Sequence, residues 1–302
     1  MDRILGTVLA GLVGLAFGSF LNVCLTRWPA GESVVSPPSH CRNCARRLAA
    51  WENLPLLSWI ALRGRCRTCG SWIGWRYPLV EAAVAALWAT VAWRFFTTVL
   101  PSLDPFAQFF RATLANNLGE AIGAAVFFWL LVALAVLDAE HLWLPNRITY
   151  PGIVLGFVAR NLYRILDDRY SEFPSADRAA LAMQMITDSL LGIFAAAGII
   201  LLVRWVYRVV RKREGMGLGD AKLMAMLSAW LGFSGALLAL VVGVLLGAGV
   251  GIVLAMQARE RGAETAGAMK LPLGTFLCAG AIVSGLWGEP IIAAYLHWAG
   301  FR

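Results

Sequence analysis

Long apolar runs separated by short charged stretches dominate the chain. A membrane-crossing helix needs about 20 mostly apolar residues, and the first such run covers 5–25. Others follow at 79–100 and 118–137. A fourth, 148–166, is interrupted by Arg160 and Arg164, which are expected to snorkel outward. A fifth covers 186–203. Residues 223–256 make 34 positions without a charge, roughly 51 Å of helix and too long for one crossing. A break is expected at Gly232-Phe-Ser-Gly235, giving two short spans, and 271–297 forms the last. The pattern predicts an all-α polytopic membrane protein with about eight transmembrane helices, seven and nine being the neighbouring counts. The reading finds no internal repeat and no low-complexity segment.

Composition agrees with the pattern. Hydrophobic residues make up 59% of the chain and charged residues only 15%, against about a quarter charged in soluble domains. The 13 Trp and 30 Gly fit bilayer interfaces and membrane helices. The net charge of +8 raises nucleic acid as a partner. The basic residues, however, fall between apolar runs, as topology signals do, so nucleic acid is set aside.

Lys and Arg in the loops give the expected orientation. Residues 26–78 hold eight arginines, and 204–219 hold Arg204, Arg208, Arg211, Lys212 and Arg213. Residues 101–117 and 167–183 are poorer in net positive charge. The loops 26–78, 138–147, 204–220 and 257–270 are therefore expected on the cytoplasmic side of the membrane. A cleaved signal peptide at the first span is the competing reading, but it would export a loop rich in arginine. The expected organisation is a first transmembrane helix at 1–25, a cytoplasmic four-cysteine loop at 26–78 and a helical membrane domain at 79–302.

That loop carries Cys41-Arg-Asn-Cys44 and, after 21 residues, Cys66-Arg-Thr-Cys69. Two CxxC turns can complete a tetrahedron of thiolates, so zinc is the expected ligand. Flanking arginines are expected to favour the thiolates. A closed four-thiolate site leaves no open position for water, which makes the zinc structural. Two disulfides are the alternative, and they require an oxidising compartment. His40 is taken as a bystander. Cys24 and Cys278 lie alone in apolar runs and read as small core residues.

Acids bordering apolar runs carry the candidate chemistry: Glu81, Glu120, Asp138, Asp188 and Asp220. The expected topology puts Asp138 and Asp220 at the same cytoplasmic level, with Glu81 on that side and Glu120 and Asp188 opposite. Asp138 stands in Val136-Leu-Asp-Ala-Glu-His-Leu-Trp-Leu-Pro145, and Asp220 ends Gly217-Leu-Gly219-Asp220. Asp220 alone also reads as a helix N-cap. The glycines Gly217 and Gly219 lack a Cβ and let a substrate strand approach closely. Two carboxylates in one site share a proton, so one can activate water while the other donates to a scissile carbonyl. Which starts ionised stays open.

At these residues the chain resembles the bacterial type IV prepilin leader peptidases, bifunctional GxGD aspartyl proteases and N-methyltransferases. The resemblance also rests on Gly18-Ser-Phe-Leu-Asn-Val23, on Trp51 to Trp59, on Arg63-Gly-Arg-Cys-Arg67 and on Arg76-Tyr-Pro-Leu-Val-Glu81. Leu271-Pro-Leu-Gly-Thr-Phe276 completes the series, in the family's order. It implies cleavage of the basic leader from prepilins or type II pseudopilins, followed by methylation of the new N-terminus with S-adenosylmethionine. Asp138 and Asp220 are then catalytic, Gly217 and Gly219 form the active-site loop, and Cys41, Cys44, Cys66 and Cys69 hold zinc. The implied partners are prepilins with a basic leader and an apolar N-terminal helix, and membrane lipid. Glu81, Glu140, Glu214 and lipid head groups are candidates to offset the leader's charge. No Rossmann GxGxxG is present, so no residue is assigned to the cofactor. Two other readings compete: an intramembrane aspartyl protease of a different substrate, and a zinc-stapled scaffold in which the aspartates are caps.

Overall fold

The computed structural model describes residues 2–102, 110–170, 177–212, 217–260 and 271–300. Its regular elements are helical, and the described residues contain no strand beyond two isolated bridges. In chain order they are α1 (Asp2–Arg27), a 3-10 turn (Ala50–Asn53), α2 (Leu57–Ala61), α3 (Arg76–Arg94), a π turn (Phe95–Val99) and α4 (Leu100–Ser102). Then follow α5 (Phe110–His141), α6 (Asn146–Tyr170), α7 (Arg178–Arg211), α8 (Leu218–Glu260) and α9 (Leu273–Trp298).

Six helices among the described residues are long and apolar enough to cross a membrane. They are α1, α3 with its π turn, α5, α7, α8 and α9. The difference from the expected eight lies in two places. α6 is helical over the fourth expected span but carries Arg147, Arg160, Arg164 and Arg169. α8 is continuous except at Gly232, whose φ of 74° and ψ of 173° break it where the glycine pair had been expected to.

The Gly232 break explains a second departure. Arg160 does not turn outward. Its guanidinium lies over Gly232 and donates to the Trp230 carbonyl at 3.4 Å. A kink inside an apolar helix releases backbone carbonyls that need a donor, and a half-buried cation from α6 supplies one.

The helices also run further than their apolar centres. α7 starts at the N-cap Asp177, whose carboxylate accepts from Ala180 N–H, and ends at Lys212 in the left-handed region. Arg204, Arg208 and Arg211 are therefore helical rather than in a loop. The expected loops 101–117 and 167–183 are likewise helical from Phe110, to Tyr170 and from Arg178. Helix ends are set by caps, not by the edge of the apolar run. The remaining parts of these loops, with Glu214 and most of 257–270, lie outside the described residues.

The chain divides into two compact units, 1–133 and 134–302. In the first, α1 crosses α3 closely. A Cβ on Gly14 would meet Ala85 Cα at 2.8 Å, and one on Gly18 would meet Glu81 Cα at 2.7 Å. Small residues at such spacing let membrane helices approach backbone to backbone. In the second unit α8 packs on α9 in the same way, with Gly243 against the Phe276 carbonyl and Gly280 against that of Ala239. α6 and α7 also pack on α8, and its Leu223, Met224, Met226 and Leu227 are fully buried.

Candidate active site and metal centre

Asp138 sits in the last turn of α5, which ends at His141. The chain turns through Leu142, at φ +50°, and Pro145, and α6 begins at Asn146. Asp220 sits in the first turn of α8. Its Oδ2 accepts from Gly217 N–H at 3.2 Å, so it reaches back to the helix start instead of standing at the cap. Both carboxylates belong to residues less than a tenth exposed.

Three segments hold them together. Thr275, in the first turn of α9, donates its N–H to Asp138 Oδ2 at 2.8 Å. Its hydroxyl donates to the Ala135 carbonyl at 2.9 Å and lies 3.3 Å from the same Oδ2. Leu144 fills the space between the two acids' segments. A Cβ on Gly219 would lie 3.2 Å from Leu144 Cβ, and one on Gly274 would lie 3.1 Å from Leu144 Cδ1 and 2.9 Å from Asp138 Oδ2. The charges of Asp138 and Asp220 are close enough to act on one another, and both act on the fully buried Cys278 of α9.

Each carboxylate thus faces a helix N-terminus: Asp220 that of α8, Asp138 that of α9. Unsatisfied N–H groups and the helix dipole give such ends a partial positive charge. Two acids, a polar floor and low exposure make a place where a proton can pass between carboxylates and a bound water. Gly217 and Gly219 flank this place. Gly219 has Leu144 against it, whereas a Cβ on Gly217 would meet only ordinary contacts.

The sequence gives no role to Gly274, Thr275 or Leu144, and Cys278 is the small core residue expected, fully buried. The Leu271–Phe276 segment was noted only as a motif, and its glycine is now seen to make room for the Asp138 carboxylate. Of the other bordering acids, Glu81 is buried in the first unit and Asp188 is exposed on α7. Glu140 is exposed on α5.

In the first unit Cys41, Cys44, Cys66 and Cys69 bring their four sulfurs within 4.8 Å of one another. All four are free thiols, with Cys41 and Cys69 Sγ 3.8 Å apart. A tetrahedral zinc with Zn–S bonds of about 2.3 Å needs sulfur edges of about 3.8 Å, so the donor set fits the metal. Disulfides would need about 2.05 Å.

The two CxxC turns repeat one structure at an offset of 25 residues. Ala45 N–H bonds the Cys41 carbonyl and Gly70 N–H the Cys66 carbonyl, both at 2.9 Å. Cys41 N–H meets the Arg46 carbonyl as Cys66 N–H meets that of Ser71. Ala45 and Gly70 both have positive φ, and the bridges His40–Arg47 and Arg65–Trp72 close each turn. The two turns therefore form a short structural repeat, where the sequence shows no internal repeat. Only Cys-Arg-x-Cys is shared in residue type, which is too little to show as a repeat in sequence.

Hydrogen bonds rather than the arginines lower two of the thiols, Cys69 and Cys41, whereas Cys44 is pushed up to about 11. The Ser71 hydroxyl, then the Ser71 N–H and the Asn43 amide, hold Cys69 down at about 5. The Cys44 N–H is the main cause lowering Cys41. His40 Nδ1 lies 3.1 Å from the Pro38 carbonyl and is not part of the cluster.

Comparison with known proteins adds an independent line. A sequence model of the Bacterial Peptidase A24 N-terminal domain matches residues 12–95. One of the Type IV leader peptidase family matches residues 125–252. A protein of Pseudomonas aeruginosa named prepilin leader peptidase/N-methyltransferase is 32% identical over 96% of this chain and 93% of its own length. One of the same name from Pseudomonas putida is 33% identical over 97% and 94%. Another from Myxococcus xanthus is 36% identical over 87% of this chain and 67% of its own length. No solved structure matches the chain significantly.

Proposed function

The chain belongs to the type IV leader peptidase family, and from that premise we propose that Asp138 and Asp220 are its catalytic pair. The protein is a multi-pass membrane enzyme that removes the leader from prepilins or pseudopilins and N-methylates the product. The reaction proceeds on the aspartates as follows. They share one proton, the ionised member takes a proton from water, and the protonated member donates to the scissile carbonyl oxygen. Water attacks the carbonyl carbon, and the returning proton goes to the leaving amine. The N-termini of α8 and α9 favour negative charge at the acids between which water is held. Gly217, where a Cβ would make only ordinary contacts, leaves space for the substrate backbone, while Gly219 makes room for Leu144. The observation that carries this reading is the approach of two buried carboxylates that lie 82 positions apart in the chain.

Cys41, Cys44, Cys66 and Cys69 hold a structural zinc that staples the loop 26–78, a segment too small for a core of its own. S-adenosylmethionine supplies an electrophilic methyl group when bound. The membrane is the bacterial inner membrane, with loop and dyad at its cytoplasmic face, where the substrate's apolar helix lies in lipid and its basic leader emerges. The peptidase work belongs to the helices of 79–302.

The test is mass spectrometry of a prepilin incubated with the full chain in detergent and S-adenosylmethionine. The expected product lacks the leader and is 14 Da heavier than the bare mature chain, the mass of one methyl group replacing hydrogen. A cut inside the apolar segment, or no cut, would refute the reading.

A further inference from the structure

A buried polar cluster stands at the foot of the four-cysteine loop, in the first unit. It is built from the last turns of α1 and the first turns of α3. Glu81 is 7% exposed and Asn22 3%. Glu81 Oε2 accepts the Leu56 N–H at 2.8 Å. Ser19 and Asn22 side chains are the other groups bonded to this carboxylate. All three donors are neutral. Asn22 Nδ2 also donates to the Tyr77 carbonyl at 3.0 Å. Its Oδ1 is buried with no donor among the described residues.

Such a cluster is incomplete in a definite way. A buried carboxylate satisfied by neutral donors still lacks a counter-charge, and burial makes that lack costly. A buried amide oxygen without a donor is likewise destabilising. One guest meets both needs: a cation that carries several N–H donors. An ammonium has three donors and a unit charge.

Given that the enzyme N-methylates its product, the cation to be handled is the α-ammonium exposed by cleavage. We propose that Glu81 and Asn22 bind that ammonium for methyl transfer, with Glu81 as its proton acceptor. Asn22 Oδ1 takes one N–H, and Glu81 removes a proton to free the nitrogen lone pair. The amine attacks the sulfonium methyl carbon; the N–C bond forms as the C–S bond breaks, and its electron pair stays on sulfur as a neutral thioether. The positive charge passes to the N-methylammonium, and Glu81 returns its proton to water. This role is separate from the aspartate pair, so it predicts a protein that cleaves without methylating.

The experiment compares wild type, Glu81→Gln and Asn22→Ala, each as the full chain, with prepilin and S-adenosylmethionine. Gln keeps an oxygen for the Leu56 N–H but cannot take the proton. Expected are retained zinc and a loss of methylation per cleaved product of about 100-fold, the lower end of general-base contributions. Asn22→Ala should lower methylation about tenfold, the scale of one hydrogen bond to a charged group. A second readout needs no methyl donor: the affinity of a synthetic mature N-terminal peptide. The free-amine peptide should bind wild type more tightly than its N-acetyl form, and Glu81→Gln should erase the difference. Wild-type methylation in Glu81→Gln, or in Asn22→Ala if the first variant does not fold, overturns the assignment. So does equal binding of the two peptides to wild type. Absence of cleavage by wild type would instead count against the peptidase reading.

Discussion

At Gly274 the room for a methyl group is already taken. An added Cβ would lie 2.9 Å from Asp138 Oδ2 and 3.0 Å from its Cγ. Gly274→Ala must therefore push the carboxylate off the Thr275 N–H that orients it. Misplacing a reacting group by about an ångström costs on the order of 100-fold, so cleavage should fall by that amount with folding retained. A steady-state assay with purified variant and prepilin checks this. The grouping of Asp138 with Asp220 was legible because charge beside an apolar run stands out, and that of the four cysteines because of their paired CxxC spacing. Thr275 was not. It is an ordinary residue inside an apolar run, and only packing brings it to the carboxylate.

Among elements, α8 is the one whose sequence and geometry disagree least and whose partner was misjudged. The Gly232 break could be read from length alone. Its support could not, because which way Arg160 turns depends on a carbonyl freed 70 residues later. At φ 74° and ψ 173° Gly232 occupies a region nearly confined to glycine. A Cβ there would also crowd the Arg160 guanidinium at 2.6 Å. Gly232→Ala should cost about 1–3 kcal/mol, seen as a lower melting temperature in detergent. An unchanged or raised melting temperature would mean that the kink is not needed. The basic stretch after residue 203 was taken for a loop because charge ends an apolar run, yet α7 continues to Arg211 because its cap lies beyond.

For the whole molecule, the two compact units hold different chemistry: the thiol cluster in 1–133 and the paired acids in 134–302. Removing zinc with a strong chelator should disorder the four-cysteine loop and abolish methylation while cleavage persists. Metal analysis alongside both assays checks it, and Cys41→Ser should behave the same way. Equal loss of cleavage would mean that the loop supports the whole enzyme. The helical, membrane-spanning class was legible because bilayer thickness sets run length. The division into units was not, since it depends on which helices pack together, as α1 with α3 and α8 with α9.

The account rests most heavily on Asp138 and Asp220 acting as a pair. Replacing each in turn by Asn preserves size and hydrogen bonding but removes the ionisable group. Leader removal from a prepilin, followed by mass spectrometry, should then fall below detection in Asp138→Asn and in Asp220→Asn, with both proteins folded and zinc-loaded. Cleavage at the wild-type rate by either variant would contradict the account.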